Sequence, residues 1–305
     1  MSRRAIRSLT IAAVVCMLPL RVLAADVAIV SSSDIIPYNT CIEGIKEALS
    51  DLSLQTTVLP PDTEDALEKI KDIRSNSPRL MIAIGPQAAF AMAADKGSVP
   101  RLFCMILNPD KVLGKAENFP GISLNIPPAL QMQKIRETLP GRVRIGVFYT
   151  RQANQATIDL LAAEAKKNNL LLVPFPVSSA GQISTTLESK DFTGDALLII
   201  PDEQLGSTKI VEYIIKESLR KKIPIIGYNS WFAKNGAVLA FAVDYKSIGL
   251  QTAALARGQL SGAAPAGTGV IPPAKIKVSI DAKTAEKLGV QLAPAALQQA
   301  DEVVR

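Results

Sequence analysis

The feature that most limits how this chain folds is the stretch from Ala196 to Gly262, where three apolar runs each stop abruptly in a polar or aromatic cluster. Ala196 to Ile200 is unbroken and apolar, then gives way to Pro201, Asp202, Glu203 and Gln204. Such a run suits a strand buried on both faces, with its polar end where the strand leaves the sheet. Ser207 and Thr208 open a helix in which Ile210, Val211, Ile214, Ile215 and Leu219 share one face, while Glu212 and Lys216 pair on another. Ile223 to Ile226 repeats the theme and ends in Gly227, Tyr228, Asn229, Ser230 and Trp231. Ala237 to Val243 ends in Asp244, before a helix that stops at Gly262. In open α/β sheets, ligands gather outside the carboxyl ends of the strands, so this is the layout of a binding site.

The same rhythm runs through the first half. Val27 to Val30 ends in Ser31, Ser32, Ser33 and Asp34; Leu80 to Ile84 ends in Gly85, Pro86 and Gln87; Leu102 to Leu107 ends in Asn108, Pro109 and Asp110. Helical patterns and a further strand, Thr56 to Leu59, lie between them, and the alternation predicts a parallel sheet with right-handed crossovers. Gly121 to Asn125 is short and runs into Pro127-Pro128, a natural place for a crossing between two units. The alternation then restarts with Ile145 to Tyr149, ending in Thr150, Arg151 and Gln152. The expected fold is α/β, with two halves alike in rhythm.

The segment PIIGYNSWFAKNGAVLAFAVDYKSIGLQTAALARGQLSG, with its NGA-x₆-DY-x₃-G pattern, resembles the C-terminal signature of a group of ABC-transporter substrate-binding proteins. Ile280 to Gly289 is similar to the endings of many of its members, and the resemblance covers nearly all of residues 26–292. It implies the type I periplasmic-binding-protein fold: two Rossmann-like lobes with parallel sheets, joined by a three-segment hinge. Carried onto this chain, the crossings fall near Ser123 to Pro127, Ala240 to Tyr245 and Gly267 to Pro273. The N-terminal lobe is then residues 26–125 plus 245–268, and the C-terminal lobe residues 126–244 plus 269–305. The implied role is capture of a small molecule, an amino acid or related compound, and delivery to an ABC permease at the membrane by a monomer. A ligand sensor of the same fold, signalling to a separate membrane partner, is the alternative.

Residues 1–24 read as a secretory signal peptide: Arg3, Arg4 and Arg7, an apolar run from Leu9 to Leu20, and Val22-Leu23-Ala24 before the expected cleavage. The run falls short of the roughly 20 apolar residues of a membrane span. A periplasmic or otherwise extracytoplasmic location follows. Lipid anchoring at Cys16 is disfavoured because Val15 stands where a small residue is wanted. Cleavage leaves 30 basic against 28 acidic residues, which removes the charge argument for a nucleic-acid partner. Histidine is absent, so a Ser-His-Asp or Cys-His nucleophile is excluded. With no GxGxxG or phosphate-loop motif and no ligand spacing for a metal, neither an enzyme nor a cofactor is expected. Cys41 and Cys104 are read as buried thiols or a bridge.

The candidate ligand-binding residues are Ser32, Asp34, Gly85, Gln87, Asn108, Tyr149, Arg151, Asp202, Tyr228, Asn229, Trp231 and Asp244. Each lies at a strand end. Ser32 and Asp34 are hydroxyl and carboxylate before a helix, which also fits turn and capping chemistry. Gly85 admits close backbone approach or a tight turn. Arg151 has the geometry to meet a carboxylate in a two-point contact. Asp202 and Asp244 suit a ligand ammonium or a helix N-terminus. Tyr228, Asn229 and Trp231 combine aromatic area with polar groups, as stacking and orientation of a small ligand require.

Overall fold

A computed structural model describes residues 25–114, 119–190, 192–263 and 269–305. The expected signal peptide and Cys16 lie outside them. The first lobe begins with β1 (Val27–Ser31), α1 (Ile36–Ala48), β2 (Leu54–Val58), α2 (Thr63–Ser75), β3 (Leu80–Ile84), α3 (Pro86–Ala94), β4 (Arg101–Ile106), α4 (Pro109–Leu113) and β5 (Gly121–Ser123). Its central strands β1 and β3 are buried along their whole length, as expected where helices cover both faces. β2, an edge strand, keeps Gln55 and Thr56 in solvent.

The second lobe takes α5 (Pro128–Thr138), β6 (Arg144–Tyr149), α6 (Arg151–Lys167), β7 (Leu171–Pro176), α7 (Ala180–Glu188), β8 (Ala196–Leu198), α8 (Thr208–Arg220), β9 (Ile225–Gly227), α9 (Ser230–Lys234) and β10 (Leu239–Val243). The chain then returns to the first lobe as α10 (Tyr245–Leu260), which packs along α1, and as β11 (Val270–Ile271). It finishes in the second lobe with β12 (Ile276–Asp281), α11 (Ala282–Leu288), α12 (Pro294–Gln299) and β13 (Glu302–Val304).

The first sheet, in the order β11-β5-β4-β3-β1-β2, is parallel throughout. The second runs β13-β12-β10-β9-β8-β6-β7 and is parallel except between β10 and β12. The expected α/β fold with two Rossmann-like lobes is therefore observed. One boundary differs. Residue 269 was expected to start the final stretch of the second lobe, yet Val270 and Ile271 pair with Gly121 and Ile122 at the edge of the first sheet. Those two residues add a last parallel strand to that sheet before the chain crosses.

The family-like DY-x₃-G pattern has a packing basis. Asp244 caps α10 by accepting from the Ser247 N–H at 3.1 Å. A Cβ placed on Gly249 would lie 2.1 Å from the Cys41 carbonyl oxygen of α1. No larger side chain fits where the two helix backbones come so close. Lys246 with Glu47 at 2.7 Å, and Arg257 with Asp51, fasten the same helix pair at its rim.

Candidate functional site

Parallel strands send all their carboxyl ends to one edge of a sheet, and the two such edges face each other here. Between them lies a cavity of about 120 Å³ lined from both lobes. Leu107, Asn108, Leu124 and Asn125 follow β4 and β5 of the first lobe; Ile126, Pro128 and Gln131 belong to the first crossing and α5; Thr157, Leu160 and Leu161 stand on α6; Ile200, Pro201 and Tyr228 follow β8 and β9. A direct hydrogen bond also spans the gap, from Lys111 Nζ on α4 to Asn154 Oδ1 on α6 at 3.0 Å.

Local backbone irregularity turns the first lobe toward this cavity. β4 carries a register shift between Cys104 and Ile106, with Met105 at φ 60°, and Asn108 follows at φ 49°. Asparagine tolerates the left-handed region, and bulges often re-aim a strand beside a functional site. The Asn108 N–H donates to Asn125 Oδ1 at 2.9 Å, which ties the two strand ends together. No charged residue lines the cavity among the described residues. Its polar groups are amides and hydroxyls; those of the Asn108 side chain, Thr157 and Tyr228 make no hydrogen bond within the protein among the described residues. Burial pushes the Tyr228 phenol above its ordinary pKa, so it enters as a neutral O–H.

Most other expected residues sit on the same two edges, but their polar atoms are engaged inside the protein. Ser32 Oγ donates to the Ile84 carbonyl at 2.9 Å and accepts from the Ala88 N–H at 2.9 Å, closing β1 onto β3 and α3. Gly85 adopts φ 87°, and a Cβ there would meet the Tyr38 hydroxyl at 2.5 Å. Asp34 is exposed and accepts from Asn39 Nδ2 at 2.7 Å. The Gln87 amide donates to the Pro60 and Pro61 carbonyls.

Across the cleft, the Tyr149 ring is buried and its hydroxyl bonds Gln155. Arg151 is exposed at the start of α6. Asp202 takes donors from the Thr150 N–H at 2.7 Å, the Thr150 hydroxyl at 2.8 Å, Asn154 Nδ2 at 2.6 Å and the Gln204 N–H at 2.9 Å. Burial alone would raise the Asp202 pKa; these bonds outweigh it and hold the carboxylate below its usual range. Asn229 Oδ1 caps α9 through the Trp231 and Phe232 N–H groups. Trp231 lies edge-on to Phe232 and faces a second hollow of about 220 Å³, also lined by Leu205, Thr208, Val211 and Tyr228. Asp244 meets Lys277 at 3.4 Å and Lys275 at 3.6 Å besides capping α10.

Of the twelve, Asn108 and Tyr228 line the interlobe cavity, and Tyr228 alone borders both hollows. The expectation missed Asn125, Leu124, Thr157 and Leu160. Asn125 carried a readable signal, a polar residue ending a short apolar run before a proline pair. Thr157 and Leu160 stand in the middle of a helix, where strand-end reasoning does not look.

No helix of the described residues is long and apolar enough to cross a membrane, and no cluster of His, Cys, Asp and Glu among them suits a metal ion. A solved structure of an ABC domain from Streptococcus pneumonia in complex with L-Trp is 21% identical, covering 91% of this chain and 100% of that one with a TM-score of 0.64. The ligand-free, open structure of a substrate-binding protein with adhesive properties from Clostridium difficile is 17% identical, covering 92% and 98%, with a TM-score of 0.72. At such identities the likeness concerns the fold. A tyrosine-binding protein of Clostridioides difficile (strain R20291) is 26% identical over 163 residues, which are 52% of this chain and 46% of that protein. The match thus spans less than half the length of that relative. The model of the family described as ABC transporter substrate binding protein matches residues 28–304, and the chain belongs to that family.

Proposed function

We propose that the protein is the extracytoplasmic solute-binding component of an ABC importer, exported through its first 24 residues, and that it holds an amino acid or related compound between its lobes. The observation that carries this reading is the cavity shared by the two facing sheet edges, apolar on its walls and set with unengaged neutral donors and acceptors. Small-molecule sites have this composition: mostly apolar area, with a few polar groups that fix orientation. Asn108 and Tyr228 contact the ligand directly, together with Asn125 and Thr157. Leu124 and Leu160 provide apolar area on opposite sides. Ser32, Gly85, Gln87, Asp202 and Asn229 shape the two rims from behind.

In this mechanism the lobes swing about the three crossing segments, and the closed form gains contacts to both sides of the ligand at once. Lys111 meeting Asn154 is one contact that depends on the approach of the lobes. The tyrosine-binding relative and the L-Trp complex support an aromatic amino acid as the first compound to try. Thermal shift followed by calorimetry against the twenty amino acids, nucleosides and sugars tests the reading, since a ligand held only by folded protein raises the melting temperature. The expected result is stoichiometric binding of an amino acid without turnover. Chemical conversion of the bound compound, or binding that survives loss of both the Asn108 and Tyr228 side chains, overturns it.

A further inference from the structure

Among the described residues, two cysteines outside the cleft lie side by side. Cys41 stands on α1 and Cys104 on β4, and each is fully buried in the core on one face of the first sheet. Their sulfurs are 3.6 Å apart, joined by an S–H···S hydrogen bond and not by a disulfide. A disulfide requires about 2.05 Å, so the two sulfurs must close by about 1.5 Å. Elements separated by 63 residues of sequence meet at this point. Cys104 adjoins the Met105 irregularity of β4, and the cavity-lining Asn108 follows shortly after it in the chain.

We propose that Cys41 and Cys104 are a disulfide-forming pair that joins α1 covalently to β4 and fixes the first lobe's wall of the cleft. The reaction is thiol–disulfide exchange with a disulfide oxidant. One cysteine, as thiolate, attacks a sulfur of the oxidant and expels a first thiol; the other then attacks the resulting mixed disulfide and expels a second. Two protons and two electrons leave the protein pair, and the oxidant's S–S bond is reduced to two thiols. The step precedes final packing of α1. Once folded, the Cys41 thiol is held well above its ordinary pKa, first by its hydrogen bond with Cys104 and then by burial, so little thiolate is available. A bond closing so long a loop constrains the unfolded chain strongly.

The test is refolding of the reduced, denatured protein in a buffer of oxidised and reduced glutathione, followed by alkylation in denaturant and peptide mapping by mass spectrometry. The expected product carries no alkyl group on Cys41 or Cys104 and yields one linked peptide, while dithiothreitol restores two alkylated sites. Melting should fall by roughly 5–15 °C on reduction, and the Cys41→Ser/Cys104→Ser double variant should melt alike with and without reductant. Quantitative alkylation of both cysteines after oxidative refolding, glutathione adducts in place of the linked peptide, or equal melting of the two redox forms overturns the proposal. None of these readouts involves the ligand, so their failure leaves the binding role intact.

Discussion

The two sides of the cleft follow one construction rule and present different things to it. The first lobe shows the cavity an irregular strand exit, Met105 to Asn108, plus the end of β5. The second shows a helix face, Thr157, Leu160 and Leu161, together with the exits of β8 and β9. Behind these surfaces both lobes close their other strand ends with hydrogen bonds: Ser32 binds β1 to β3 and α3, while Asp202 binds β6 to the turn after β8. Polarity at a strand end therefore does not by itself mark a ligand contact. The half-buried Asn108 side chain, Thr157 and Tyr228 differ in making no hydrogen bond within the protein among the described residues, which leaves their capacity for a partner from outside.

Substitutions can break or sharpen that contrast. The largest effect should come from the seam that hands α10 to the first lobe. Gly249→Val forces side-chain atoms onto the Cys41 carbonyl and should cost about 3 kcal/mol or more in chemical denaturation. Gly181→Ala in α7, whose nearest neighbour would be 3.8 Å away, should change stability by less than about 0.5 kcal/mol.

Next is the rim of the second lobe, where Asp202→Ala strands the donors of Thr150 and Asn154 and should cost about 2 kcal/mol at neutral pH. Because the folded-state Asp202 pKa lies below its unfolded value, the stabilisation is complete above about pH 4 and fades as pH falls through the folded value. Denaturation midpoints of wild type and variant should converge in acid; a constant gap down to the lowest pH would show that charge is not involved.

At the cavity, Tyr228→Ala should weaken amino-acid binding about tenfold or more, and should also lower the melting temperature of the free protein because the ring packs on Phe232 at 5.1 Å. Trp231→Ala, in the neighbouring hollow, should weaken it less; calorimetry that reverses this order would move the ligand toward α9. A small effect on binding belongs to Lys111→Met. Its bond to Asn154 is partly exposed, and its loss should change affinity by about two- to fivefold.

Much of the fold was legible because it rests on local pattern. Leu80 to Ile84 reads as a strand, and it is one, buried along its whole length; Ser207-Thr208 reads as a helix start, and α8 begins at Thr208. α4 was not legible. Asn108, Pro109 and Asp110 read only as the polar end of a strand, whereas Pro109 to Leu113 form a short helix on the α3 flank. For the candidate site, the order of residues shows strand-end positions but not the bonds those residues make. Ser32 and Asp202 have the right chemistry and location, and only the distances to Ala88, Thr150 and Asn154 reveal that their capacity is spent inside the protein.

Apolar runs with polar stops and proline at a crossing are properties of neighbouring residues, so the order of residues alone determined that this chain alternates strands and helices in two halves alike in rhythm. Which strand ends look into the cleft, which polar groups stay free there, and that Cys41 meets Cys104 were decided only in three dimensions. Those outcomes depend on contacts between segments far apart in sequence, whose geometry is set by the packing of whole sheets and helices rather than by any local pattern.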